Sequence, residues 1–140
     1  MIITVTPNPS IDRTVTLDTP LIRGGVQRVS SVTTEPGGKG VNVARTLVLA
    51  GLDALAVLPS PAEDPLLVAL DSVGVAYRAV WGATTPVRTN IAITEVDGTT
   101  TKLNEPGAPL DVTAVDRLTR AVLDAAATAS WVVLSGSLPP

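Results

Sequence analysis

Short apolar runs alternate along the chain with segments whose apolar residues recur at helical spacing. Four runs contain few polar residues, which predicts strands, and all of them except the run at residues 75–81 are expected to be buried. These runs lie at residues 2–6, 54–58, 75–81 and 131–134. Because helices are predicted between them, the order favours a parallel sheet with helical crossovers, and hence an α/β fold.

Three helices are predicted from their first residues and their apolar periodicity. The first follows the glycine-rich segment at residues 36–40. The second begins with Asp64 as its N-cap and Pro65 at the first helical position, because both residue types are favoured there. The third has Asp111 as its N-cap.

Polar strands interrupt this order twice. One pair is predicted at residues 14–18 and 26–34, and the other at residues 88–96 and 99–105. Between the second pair, Asp97-Gly98 predicts a type I′ turn with positive φ at both residues. These polar strands do not fit a buried parallel layer. They are predicted to form a small separate sheet over the edge of the main one.

The final apolar run, at residues 131–134, is followed by no helix. A wholly apolar strand needs cover on both faces, and an open edge is an aggregation liability. A partner chain would supply that cover, or the chain is cut within a domain. We favour a cut within a domain.

Composition excludes several classes of function. The 140 residues are 45% hydrophobic, enough to bury the core of one domain. The net charge of −3 argues against a nucleic-acid partner. The chain has no Cys and no His, which excludes disulfides, thiolate or imidazole zinc sites, and a Ser-His-Asp triad. Without a signal peptide or an 18-residue apolar stretch, we expect a cytoplasmic protein with no membrane partner.

The strongest candidate for a ligand-binding segment is Gly37-Gly38-Lys39-Gly40-Val41-Asn42. Its glycines permit close approach of a ligand, and the unpaired N–H groups of a helix start attract anions or hydroxyl oxygens. A tight turn beside a solvated Lys39 is an equally good interpretation. Gly40 stands where a Walker A loop needs Ser or Thr, and Val43 stands where a dinucleotide fingerprint needs its third glycine.

Other candidates lie near predicted strand ends or on the polar strands. Asp12 follows the first strand, where it would bind sugar hydroxyls or form an Asx-turn. Arg28 and Arg88 are solvated, or they bind a phosphate if the small sheet faces the helix start. The hydroxyls of residues 135–137 bind phosphate or cap a turn. The convergence of Asp12, residues 38–42 and residues 135–137 at one sheet edge, under the small polar sheet, predicts a small-molecule cleft.

Five segments in this order resemble the PfkB (ribokinase-like) carbohydrate kinases, over almost the whole chain. They read TVTPNPSIDRTVTLD, PGGKGVNVARTLVLAG, VRTNI, TKLNEPG and VVLSGSLPP. The resemblance implies a Rossmann-like ribokinase fold, a parallel sheet with helices on both faces plus a small β-sheet lid. Residues 1–140 would be the N-terminal part of the kinase domain, with lid segments at about 12–34 and 86–105 and the C-terminal half absent.

The combination of NPSID and NEPG resembles the branch of this family that acts on phosphorylated sugars. The implied reaction transfers the γ-phosphoryl group of ATP, with Mg²⁺, to fructose 1-phosphate and yields fructose 1,6-bisphosphate. Tagatose 6-phosphate and fructose 6-phosphate are alternative substrates. A non-catalytic module for sugar-phosphate binding or dimerisation is an alternative of another class. The family also implies a homodimer formed through the lid.

The resemblance implies seven substrate-binding residues: Asp12, Gly38, Lys39, Asn42, Arg88, Ser137 and Arg28. Asp12 would bind sugar hydroxyls, and the three residues at the helix start would hold the sugar. Ser137 and Arg88 would bind the phosphate that the sugar already carries. Arg28 would reach a phosphate across a dimer.

Two departures from the family pattern stand out. The loop at residues 58–64 has no glycine where family members are usually glycine-rich. A DTxGAGD-like block, which in the family carries the catalytic Asp and most of the ATP site, is absent. No catalytic residue is therefore expected within residues 1–140, and this chain alone is expected to be inactive.

Overall fold

The computed structural model describes residues 1–80 and 85–140, which contain eight strands and three helices. The strands are β1 (Ile2–Val5), β2 (Ser10–Thr16), β3 (Ser31–Gly37), β4 (Ala54–Pro59), β5 (Ala76–Val80), β6 (Arg88–Thr94), β7 (Thr100–Asn104) and β8 (Trp131–Leu134). The helices are α1 (Lys39–Leu49), α2 (Pro65–Ser72) and α3 (Val112–Ala126). Trp81, predicted to end the strand that includes β5, lies outside the described residues.

The main sheet is parallel and has the strand order β5-β4-β1-β8. Helices α1 and α2 cover one face, where Val41 and Leu66 pack with Leu58 of β4. Helix α3 covers the other face, where Leu118 packs near Ile3 of β1. The predicted parallel sheet with helices on both faces is confirmed.

The strand β8 has the predicted bounds and is only partly covered. The first and last residues of β8, Trp131 and Leu134, are 71% and 72% exposed. Among the residues described, β8 pairs with β1. The strand lacks the cover that its apolar composition calls for, as expected for a run that no helix follows.

The polar strands form a second sheet with the order β3-β2-β6-β7. Strands β2 and β6 are parallel, and each pairs antiparallel with its outer neighbour. The predicted separate sheet is confirmed, although β2 begins earlier than expected and β3 begins later. Residues 26–30 are not in a strand because the Gln27 amide closes a local loop, donating to Pro20 O (2.9 Å) and accepting from Ile22 N–H (2.7 Å).

The turn between β6 and β7 is not the predicted type I′ turn. Among residues 1–80 and 85–140, positive φ occurs at glycines alone, so Asp97 does not have it. Gly98 has φ 88° and donates to Glu95 O (2.9 Å), the pattern of a three-residue loop that ends in a left-handed glycine. The Thr99 N–H donates to the Asp97 carboxylate (2.9 Å), which favours this local loop and lowers the pKa of Asp97.

The start of α1 lies directly against the end of β1. A Cβ atom on Gly40 would collide with the hydroxyl of Thr6 and would lie 2.6 Å from Val5 O. Gly38 has φ 106°, and a Cβ there would lie 2.6 Å from Thr6 Cγ2. Two glycines are therefore required for this close approach of helix and strand.

Gly40→Ala is expected to destabilise the intact protein by about 2 kcal/mol, because the added methyl group overpacks the contact with β1. Helix propensity alone would give about 1 kcal/mol of stabilisation instead. Urea unfolding measures the difference, with Leu49→Ala on the exposed part of α1 as the control. A Gly40→Ala variant more stable than the wild type would contradict the close approach.

Asp64 caps α2 as predicted and also fixes the beginning of β6. Its buried carboxylate accepts from Leu66 N–H and from Val87 N–H, both at 2.9 Å. Asp111 caps α3 as predicted, but it is exposed, and its carboxylate accepts from Ala114 N–H at 2.7 Å. Asp64 is therefore buried and links α2 to the start of β6, whereas Asp111 is exposed and bonds to α3.

Asp64→Ala is expected to lower the free energy of unfolding by about 3 kcal/mol, because it removes the N-cap of α2 and leaves a second N–H group without its acceptor. Asp111→Ala is the matched control and is expected to cost about 1 kcal/mol. Thermal unfolding of the two variants compares them directly. Equal losses would show that the bond to Val87 contributes nothing.

Candidate functional site

An open cleft of about 540 Å³ lies between the carboxyl end of β1 and the second sheet. Its lining residues come from both sheets, from the start of α1 and from the segment after β8. They are Asn8, Asp12, Gly38, Lys39, Asn42, Arg88, Asn90, Asn104, Gly136 and Ser137. Every predicted substrate-binding residue except Arg28 is among them.

Arg28 lies elsewhere. It is exposed in the connection between β2 and β3. The neighbouring Ser30 N–H donates to Thr16 O, at the opposite end of β2 from Ser10. The structure therefore does not bring Arg28 to the cleft of its own chain.

Asp12 is held by side chains of its own strand and the adjacent one. Its Oδ1 atom accepts from Ser10 Oγ (2.8 Å) and from Asn90 Nδ2 (2.9 Å). Asp12 and Asn90 are directly paired residues of β2 and β6. Within residues 1–80 and 85–140, Oδ2 has no hydrogen-bond partner. Asp12 lies within a strand, so the Asx-turn interpretation is wrong.

Gly37 provides the space that the Asp12 carboxylate occupies. A Cβ atom at Gly37 would coincide with that carboxylate. The glycine at the end of β3 therefore allows the carboxylate to lie across the sheet, with one oxygen fixed and the other available to a hydroxyl donor.

Arg88 is half-buried and bound to three segments. Its Nη1 donates to Glu105 O (3.0 Å), and its Nη2 lies 3.3 Å from Asn8 O and 3.5 Å from Ser137 Oγ. The interpretation of Arg88 as a solvated arginine is therefore wrong. The guanidinium has a fixed orientation beside Ser137, as expected if the small sheet faces the helix start.

The start of α1 adds further positive charge to the same cleft. The first intrahelical bond runs from Asn42 N–H to Gly38 O (2.8 Å), so the N–H groups before Asn42 have no intrahelical acceptor. Lys39 is exposed, and Gly136 packs beside it. The cleft therefore has cationic groups from α1 and β6 and one carboxylate, Asp12, on β2.

Sequence reasoning assigned no role to three asparagines of the cleft: Asn8, Asn90 and Asn104. Asn8 and Asn104 belong to the NPSID and NEPG segments that carry the family resemblance. Asn90 follows Arg88 by two residues, and alternation along a strand places both on one face. That alternation was enough to find Asn90 from the sequence.

Two kinds of feature are absent from the part of the chain that the structure describes. In residues 1–80 and 85–140, no three or more Asp or Glu side chains converge to hold a metal ion. None of the helices found there is long and apolar enough to cross a membrane.

Curated proteins of similar sequence match this chain over its whole length or nearly all of it. The 1-phosphofructokinase of Haloferax volcanii is 34% identical over an alignment of 142 positions, which covers 100% of this chain and 45% of that protein. The ATP-dependent 6-phosphofructokinase isozyme 2 of Mycobacterium tuberculosis is 34% identical over an alignment of 148 positions, which covers 99% of this chain and 41% of the relative. The chain thus spans less than half the length of these relatives.

Solved structures and a family model also match this chain. Phosphofructokinase-2 from Escherichia coli in complex with fructose-6-phosphate matches with TM-score 0.89 and 30% identity, over 99% of this chain and 46% of that one. A possible 1-phosphofructokinase from Thermotoga maritima matches with TM-score 0.83 and 27% identity, over 99% and 45%. The family model described as pfkB family carbohydrate kinase matches residues 6–140. With a parallel sheet, a second polar sheet and a cleft between them, the chain belongs to the pfkB family of carbohydrate kinases.

Proposed function

We propose that this chain supplies the sugar-phosphate side of a cytoplasmic kinase that converts fructose 1-phosphate and ATP to fructose 1,6-bisphosphate and ADP. The observation that carries the proposal is the position of Arg88 beside Ser137, in the same cleft as the free oxygen of Asp12. Cationic groups there suit the existing phosphate, and a carboxylate suits the sugar hydroxyls. Fructose 6-phosphate and tagatose 6-phosphate are the alternative substrates.

Arg88 and Ser137 would bind the phosphate that the sugar already carries. A planar guanidinium binds phosphate oxygens through parallel N–H groups. The carbonyl oxygens of Asn8 and Glu105 accept from Arg88 and keep its plane fixed before the ligand arrives. Less ordering is then required on binding, which favours affinity.

Asp12 and the start of α1 would bind the sugar itself. Ser10 and Asn90 fix Oδ1 of Asp12, which leaves Oδ2 to accept from a hydroxyl group. Gly38 permits the sugar to approach the backbone, with Lys39 and Asn42 as donors beside it. Because phosphoryl transfer depends largely on positioning and charge stabilisation, holding the sugar in one orientation is a direct contribution to rate.

The proposed reaction also needs ATP and Mg²⁺, for which the residues described show no recognised motif. Residues 1–80 and 85–140 hold no carboxylate cluster for a metal ion. Gly40 in place of Ser or Thr removes the Walker A pattern. We propose that the catalytic Asp and most of the ATP contacts belong to the DTxGAGD-like block of the family, which residues 1–140 do not contain.

We also propose a homodimer formed through the second sheet as a lid. Alternation places apolar residues of this sheet on the face away from Asp12. Of these, Val32 and Leu103 are 42% and 55% exposed. Exposed apolar surface of this kind favours a protein partner, and Arg28 would then reach a phosphate in the cleft of the second copy.

The activity is tested by ATP-dependent phosphorylation in the intact protein, with fructose 1-phosphate expected to give the highest kcat/KM of the three phosphosugars. Arg88→Ala is expected to raise the KM for that sugar roughly 10- to 100-fold, the loss of a charged hydrogen bond. Arg120→Ala, on exposed α3, is the matched control and should change nothing.

Other outcomes of the same assay separate the alternatives. Residues 1–140 alone should transfer no phosphoryl group. Binding of a phosphosugar by the intact protein without any transfer would favour the non-catalytic module. An unchanged KM in Arg88→Ala would contradict the proposed phosphate contact.

The dimer is tested by analytical ultracentrifugation. Leu103→Glu places a charge on the exposed apolar face of the second sheet, and we expect it to convert a dimer to a monomer while the melting temperature of the protomer is kept. Leu49→Glu on α1 is the control and should remain dimeric. A wild-type monomer at micromolar concentration would contradict the proposed interface.

A further inference from the structure

The side chain of Asn8 joins the segments that form one end of the cleft. It follows β1 and is only 6% exposed. Its Nδ2 donates to Pro106 O (2.9 Å) and also lies 3.4 Å from Ser137 Oγ and 3.5 Å from Leu138 O. One amide therefore contacts both the segment after β7 and the segment after β8.

Two further contacts extend this junction. The backbone oxygen of Asn8 accepts from Arg88 Nη2 at 3.3 Å. Gly107 has φ 91°, and a Cβ atom there would collide with the side-chain oxygen of Asn8. The loop after β7 thus packs its backbone directly on the amide, and both partners of the proposed phosphate contact, Arg88 and Ser137, touch Asn8.

We propose that Asn8 is a positioning residue that fixes Arg88 and Ser137 at the separation needed to bind the phosphate of the substrate. This inference rests on the proposed function. Asn8 does not itself bind the phosphate, because its amide N–H groups are directed at Pro106 and at the segment after β8.

The chemistry of the contacts requires an amide at this position. The carbonyl oxygens of Pro106 and Leu138 accept hydrogen bonds, so they need a donor between them. An aspartate has the same shape but would turn a carboxylate oxygen toward both carbonyl oxygens. An alanine would remove the bonds of the amide to both segments. Asn8→Asp and Asn8→Ala therefore test donor chemistry and contact separately.

The first measurement is steady-state kinetics of the intact protein. Both variants are expected to raise the KM for fructose 1-phosphate at least tenfold, while kcat and the KM for ATP change less than threefold. A general loss of folding would lower kcat and affect both substrates instead. Asp111→Ala, at the exposed cap of α3, is the control and should keep wild-type kinetics.

The second measurement is amide hydrogen exchange without ligand, which does not depend on activity. Two amides report on the segments that Asn8 joins: Glu105 N–H donates to Thr89 O (3.4 Å), and Ser135 N–H donates to Val5 O (3.3 Å). Both are expected to exchange at least tenfold faster in Asn8→Asp, while amides of β4 keep their wild-type rates.

The two measurements separate this inference from the proposed function. A wild-type protein that phosphorylates none of the three sugars overturns the proposed function, and hydrogen exchange then decides the role of Asn8. Wild-type exchange at both reporter amides in Asn8→Asp overturns the positioning role. An active protein whose Asn8 variants keep the wild-type KM for fructose 1-phosphate overturns it as well.

Discussion

The contact between the start of α1 and the end of β1 determines where everything else in the cleft lies. Gly40 has no side chain, so the helix can rest on the hydroxyl of Thr6 and the carbonyl of Val5. Gly38 adds the left-handed backbone conformation needed to enter the helix at that point. Unpaired N–H groups of α1 are thereby brought to the carboxyl edge of the parallel sheet, where ligands of α/β proteins bind.

The second sheet completes the cleft through the parallel pairing of β2 and β6. Because these strands run in the same direction, their first residues lie at the same end of the sheet, next to the end of β1. Ser10 and Asp12 therefore face the cleft together with Arg88 and Asn90. An antiparallel pair would have placed the arginine at the far end, where Thr16 lies.

Much of this arrangement could be predicted from the sequence because it depends on local rules. Asp64 and Asp111 are N-caps as residue preference indicates, and the glycine segment begins α1. The predictions that failed depended on competing local hydrogen bonds or on contacts between residues that are far apart along the chain. Asp97 accepts from Thr99 N–H and does not adopt the positive φ that the Asp-Gly pair predicted. Asn8 was missed because its partners are about a hundred residues away along the chain.

The central claim is that one cleft binds a phosphosugar with its phosphate toward Arg88 and Ser137 and its hydroxyls toward Asp12. The most direct test is a crystal structure of the intact protein with fructose 1-phosphate. The account predicts phosphate oxygens within hydrogen-bond distance of the Arg88 guanidinium and Ser137 Oγ, and a sugar hydroxyl on Oδ2 of Asp12. A sugar phosphate bound elsewhere, or bound in this cleft with its phosphate away from Arg88, would contradict it.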